Sequence, residues 1–214
     1  MIDFAMNDHN IEWAYTLAKA AYESYKDAAE KRGEVKVREG KLISYVVGKL
    51  GEVASHRWLE EGGFLPYPWF AENDKYPDII TSMPNWVVEI KSWQWYQWCD
   101  NLAYSVPTKQ FASMLPRCNL IFWCSVDFKR CNPNKEYALY EVMDLFKTDP
   151  RTVQLVSYSW SKDLRQPGTW MDVKVRNKKG EMLYSKQLGE LGVSYVHPME
   201  KFIDDVREKH LLNP

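Results

Sequence analysis

The chain has 214 residues, enough for one domain with a full core, and its 45% apolar and 27% charged composition excludes disordered and collagen-like classes. With 28 basic and 29 acidic side chains the formal charge is -1, so no global field draws it onto nucleic acid, and any such affinity must come from local patches. No run of ~18 apolar residues occurs, and the opening MIDFAMNDHN lacks a basic n-region and an apolar h-region, so a cytoplasmic protein with no membrane partner is expected.

In chain order, Ile11, Ala14, Tyr15, Leu17, Ala18, Ala21 and Tyr25 recur at helical spacing and predict a first helix over 10–32. Ile43, Val46, Leu50, Val53, Ala54 and Trp58 form the stripe of a second helix over 41–61, stopped by Gly62-Gly63. The Pro- and aromatic-rich segment FLPYPWFAENDKYP reads as a loop. Extended runs over 78–82 and 86–93, separated by Met83-Pro84-Asn85, read as a hairpin. Thr108 is placed to cap a short helix through Leu115, closed by Pro116. The apolar run NLIFWCSV over 119–126 suits a central strand buried on both faces. Extended runs near 136–142, 153–160, 170–176 and 181–187 and a last helix near 198–211 complete the reading.

The four cysteines, Cys99, Cys118, Cys124 and Cys131, form no CxxC pair, so reduced, packed thiols are expected and a zinc or iron–sulfur site is not. Two stretches carry five basic residues against one acid, over 109–135 and 174–186; on charge alone they read as solvated faces.

The chemistry centres on the second strand of the hairpin. Alternation puts Val87, Glu89, Lys91 and Trp93 on one face, and a turn centred at Pro84-Asn85 sets position 78 opposite 91 and diagonal to 89. Asp78 then lies within about 5–8 Å of both side-chain origins. Two carboxylates and an ammonium at one spot suit phosphodiester cleavage: the acids hold a hard divalent cation, and the ammonium orients water or stabilises developing charge. A cross-strand salt bridge is the plainer alternative. The apolar setting WVVEIKSW favours the functional reading, because charges there are costly unless paired or metal-bound.

Pro77-Asp78, ten residues, then Glu89-Ile90-Lys91 resembles the PD-(D/E)xK motif of the restriction-endonuclease-like nucleases, over roughly residues 40–126. The resemblance implies that Asp78 and Glu89 bind the metal and that Lys91 assists the attacking water. Many members also carry an acid on the preceding helix, which Glu52 in Gly48-Lys49-Leu50-Gly51-Glu52 matches. Lys109-Gln110 corresponds to a Gln that contacts the site in some members, whose Tyr four positions on is replaced here by Met114. Lys49, Lys109, Gln110 and Trp93 are the candidate nucleic-acid contacts. Trp93, with Trp95, Tyr96 and Trp98, would stack bases or, more ordinarily, pack as a rim. His56 and His197 read as packed or surface residues.

Other E-x-K-like strings, at Glu34, Glu39 and Asp172-Val173-Lys174, lack a preceding Pro-Asp. The expectation is therefore a single α/β domain over 1–214. A restriction-endonuclease-like core over about 40–126 has a central mixed sheet flanked by helices, with the helix 10–32 before it and a β-rich C-terminal extension over 135–214 after it. The implied activity is Mg²⁺-dependent DNA hydrolysis, with Mn²⁺ able to substitute and DNA as partner, the chain acting alone or as a homodimer. The alternatives are a non-cleaving nucleic-acid-binding or inhibitory protein of the same fold, and an RNA-directed nuclease.

Overall fold

The computed structural model describes residues 1–31, 42–68, 77–82, 85–94, 104–107, 114–132, 135–176 and 182–212. It is a mixed α/β fold. Helices α1 (Asp8–Lys31) and α2 (Leu42–Glu61) pack together, burying Ile11, Ala14, Ala18 and Tyr22 of α1 against the apolar stripe of α2. The predicted stop at the end of α2 is a left-handed cap: Gly63 has φ +81, its N–H donates to Glu60 O, and the Phe64 N–H donates to Leu59 O.

The strands are β1 (Ile2–Ala5), β2 (Pro66–Pro68), β3 (Ile79–Thr81), β4 (Val87–Gln94), β5 (Ser105–Pro107), β6 (Leu120–Val126), β7 (Thr152–Trp160), β8 (Trp170–Arg176), β9 (Met182–Leu188) and β10 (His197–Pro198). The larger sheet has the order β1-β7-β6-β4-β3-β2, with β10 pairing further along β7. Among the described residues only β4 and β6 run parallel within it. Strand β6 lies at its centre with all seven residues buried, as its unbroken apolar run requires.

Alternation divides the core in two. Val88, Ile90, Leu120, Phe122, Cys124 and Val126 face α1 and α2, joined by Phe202 of the C-terminal helix α6 (Phe202–Leu212). Ile121, Trp123, Val87 and Trp93 face the other way, against Val106 and Leu188 of the smaller antiparallel sheet β5-β9-β8. The C-terminal part is thus β-rich, with β8 and β9 in the smaller sheet and β7 and β10 in the larger one.

Three local expectations need correction. The run near 136–142 is not extended: 139–143 forms a short helix, α3, because Glu141 accepts the Ala138 N–H and Leu139, Val142 and Met143 follow helical spacing. Strand β2 lies inside the segment read as a loop; its two prolines are tolerated because it is the last strand on its side of the sheet. The hairpin register is shifted by two. Ile79 pairs Val88 and Thr81 N–H donates to Trp86 O, so Asp78 lies one step beyond, opposite Glu89 and diagonal to Lys91. A shift of two preserves the faces. Two further short helices, α4 (Ser161–Leu164) and α5 (Glu190–Val193), flank the smaller sheet. Among the described residues no helix is long and apolar enough to cross a membrane.

Candidate functional site

Asp78 ends the segment that leads into β3, and its position is fixed by the ladder itself. Where the β3–β4 backbone pairing stops, Asp78 Oδ2 accepts the Ile90 N–H at 2.6 Å and so satisfies a donor the missing strand residue leaves open. Glu89 and Lys91 share a face of β4, as alternation requires, and their side chains meet at 2.7 Å with 16% and 14% of each exposed. Glu52 reaches the same region from α2 and pairs with Lys49 at 2.5 Å, nearly as buried.

The four predicted groups form one electrostatic cluster. Burial raises the Asp78 carboxyl well above its ordinary range, and the negative charges of Glu52 and then Glu89 raise it further, against the opposing pull of Lys91 and the Ile90 N–H. Burial likewise raises Glu52, with Lys49 working against it. For Lys91, burial disfavours the ammonium, but Glu89, Asp78 and Glu52 together outweigh it and the pKa rises. Lys91 is the cation that three acids share.

As a donor set, three carboxylates suit a hard divalent cation, and Asp78 is raised first by burial and then by the charges of Glu52 and Glu89. In their present arrangement, however, Glu52 is held by Lys49, Glu89 by Lys91 and Asp78 by a backbone N–H. Among the described residues no three His, Cys, Asp or Glu side chains stand close enough to share an ion as they are.

Lys49 stands beside Glu52 at 17% side-chain exposure. Trp93 is partly buried and stacks on Trp123 with ring centroids 5.7 Å apart. Lys109, Gln110, Cys99 and the aromatic residues 95–98 lie outside the described residues, as does most of the expected short helix over 108–115. Cys118, Cys124 and Cys131 are free, buried thiols, and burial pushes Cys124 up to about 12. The rival string on β8 is a surface feature: Asp172 is 70% exposed and paired with Lys186.

The structure adds two residues to the site. A small crevice beside Asp78 is walled by Trp13 and Leu17 of α1, by Glu52, Val53 and His56 of α2, and by Ile79. His56 is visible in the sequence one turn after Glu52, but nothing in the sequence shows that its ring is buried; Trp13 carries no signal beyond its helical spacing. Comparison with protein-family models, curated proteins and solved structures returns no match.

Proposed function

We propose that this chain is a metal-dependent deoxyribonuclease of the PD-(D/E)xK type, with a restriction-endonuclease-like core, acting through Asp78, Glu89, Lys91 and Glu52. The observation that carries the reading is geometric: Asp78, anchored on the Ile90 N–H, lies opposite Glu89 with Lys91 beside it, and Glu52 comes from α2 towards the same largely buried region.

Asp78, Glu89 and Glu52 would hold the ion, Mg²⁺ or Mn²⁺. When bound, it supplies Lewis-acid polarisation of a phosphoryl oxygen and a lower pKa for an attacking water. The Ile90 N–H fixes the Asp78 carboxylate in orientation, so one of its oxygens remains directed by the hairpin and not by solvent. Lys91, charged at neutral pH because its acids keep it so, holds three N–H donors beside Glu89 and can orient water or stabilise negative charge at the scissile phosphate. Lys49, next to Glu52, is the cation best placed to accept a backbone phosphate when Glu52 turns to the ion.

A second reading is favoured by one specific observation, the mutual pairing of Lys49 with Glu52 and Lys91 with Glu89 and the lack of a ready three-ligand cluster among the described residues. It makes the chain a nucleic-acid-binding or inhibitory protein that keeps the fold without turnover. The test is cleavage of single-stranded DNA, duplex DNA and RNA with Mg²⁺, Mn²⁺ or EDTA, with Asp78→Ala and Lys91→Ala as controls. Metal-dependent DNA cleavage lost in both variants supports the nuclease. Binding without cleavage supports the second reading, and preferential cleavage of RNA moves the substrate class.

A further inference from the structure

The smaller sheet ends in an open edge. Its order is β5-β9-β8, so among the described residues β8 has a neighbouring strand on one side only. Two hydrogen bonds fix which of its backbone groups turn inwards. The Gly189 N–H donates to Thr169 O, one step beyond the Trp170–Leu188 pair, whereas the Leu188 N–H donates away from β8, to Tyr104 O. Inward and outward residues alternate in an antiparallel ladder, so Met171, Val173 and Val175 bond to β9, and Asp172, Lys174 and Arg176 turn their backbone N–H and C=O groups to the open edge. That edge stands in solvent, since Asp172 is 70% exposed even while it pairs with Lys186. Beside it, Met171 and Leu191 are exposed apolar residues that flank the backbone of Gly189 and Gly168.

An unpaired strand edge is a template for another strand, and the sequence WMDVKVR of β8 decides which one fits. Laid antiparallel on a second copy of itself about a twofold axis at Val173, β8 sets Asp172 opposite Lys174 of the second copy, and Lys174 opposite its Asp172. Met171 then lies opposite Val175. Outward residues meet outward residues, so each such pair exchanges two backbone hydrogen bonds. Moving the axis to Asp172 or to Lys174 sets like charges face to face on it, and an axis between residues sets outward groups against inward ones. Lysines on an edge ordinarily deter pairing, and here they do so towards any strand that lacks an acid at the matching place. A second copy supplies that acid.

We propose that β8 is a self-pairing edge, through which two copies of this chain join their smaller sheets into one continuous antiparallel sheet. The inference does not depend on the nuclease reading, because Asp78, Glu89, Lys91 and Glu52 all belong to α2 and the hairpin and each copy carries the whole set. Pairing along one strand buries little surface, so the dimer is of the weak class that separates on dilution.

Sedimentation equilibrium of the full chain over a wide concentration range tests this by mass. The natural chain is expected to pass reversibly from the 25.2 kDa of one copy towards twice that value, and to separate more readily as salt is raised. Asp172→Lys and Lys174→Glu each set like charges opposite one another and are expected to weaken dimerisation by at least about tenfold. Mixed in equal amounts, the two variants restore opposite charges at both pairs and are expected to form a heterodimer. Amide hydrogen exchange reads the same edge in the natural chain, whether or not a variant folds: exchange at Asp172, Lys174 and Arg176 should slow as concentration rises, and that of Val173, already bonded to β9, should not change. A natural chain that stays single at every concentration overturns the proposal. So does a dimer that neither variant weakens, two folded single-copy variants that fail to pair when mixed, or a dimer without slowed exchange at those three residues. Cleavage assays bear on the nuclease reading alone, so the two can fail separately.

Discussion

Replacing Gly51 by alanine tests how the site is held. Gly51 is where α2 approaches the sheet most closely: a Cβ there would collide with Ser92 Oγ and stand 3.0 Å from Ser92 Cβ and 3.3 Å from Cys124 Cβ. Alanine gains about 1 kcal/mol of helix propensity over glycine. Overpacking costs about 1–3 kcal/mol, and the upper half of that range applies because Ser92 and Cys124 sit on adjacent central strands, β4 and β6, that cannot move aside. The net loss is then about 1–2 kcal/mol, a fall in Tm of about 2–8 °C for a chain of this size. Urea unfolding should show a lower midpoint at unchanged slope. Ser92 Oγ is buried with only the weak Cys124 thiol for company, so Ser92→Ala alone should be nearly neutral and should restore about 1 kcal/mol in the double variant. Because Glu52 is the next residue, Gly51→Ala should also lower cleavage by more than the loss of folded protein accounts for. A Gly51→Ala protein as stable as the natural one, or more so, refutes the close approach; strict additivity with Ser92→Ala refutes its cause.

The Asp78 and Glu52 carboxyls are raised in the folded protein, so their contribution to stability is present below the ordinary carboxyl range and is lost as pH rises through the folded values. In EDTA, the melting temperature should therefore fall from acidic towards neutral pH, and saturating Mn²⁺ should flatten the curve; a flat curve in EDTA contradicts the shifts. By the same logic Asp78→Asn should be more stable than the natural protein at neutral pH without divalent ions, yet inactive, as scanning calorimetry and a cleavage assay would show. Lys91→Ala leaves Glu89 without its partner in a largely buried setting and should cost about 1–3 kcal/mol by urea unfolding, together with activity. Asp172→Ala removes only an exposed ion pair and should change stability by no more than about 0.5 kcal/mol and activity not at all.

Long periodic or unbroken apolar segments were legible in the sequence: α1 and α2 from their stripes, the end of α2 from Gly62-Gly63, and β6 from NLIFWCSV. The hairpin and the common face of Glu89 and Lys91 were legible too, since alternation needs only the strand. Its register was not, because residues 82–85 admit more than one turn, and the β3–β4 ladder that decides between them is tertiary. Strand β1 escaped notice because four residues of IDFA carry almost no periodicity and become a strand only by pairing with β7, about 150 positions away. The burial of His56 depends on Trp13 and on Pro66, which arrive from two other elements. Local pattern thus singled out the acids and the lysine that the fold brings near one another, and missed the groups that tertiary packing brings to their side.

The parallel pairing of β4 with β6 has a consequence for what covers the candidate site. Two neighbouring strands that run the same way oblige the chain to travel back along the sheet between them, here between Gln94 and Leu120. That return carries β5, which joins β9 in the smaller sheet, whose Val106 and Leu188 settle on Ile121 and Trp123, on the face of the larger sheet that also carries Glu89 and Lys91. The topology that orders the strands therefore also builds a roof over them. The proposed site is carried by α2 and the hairpin, whereas its cover on the Glu89 and Lys91 face is carried by the smaller sheet, so the two can vary independently along the chain.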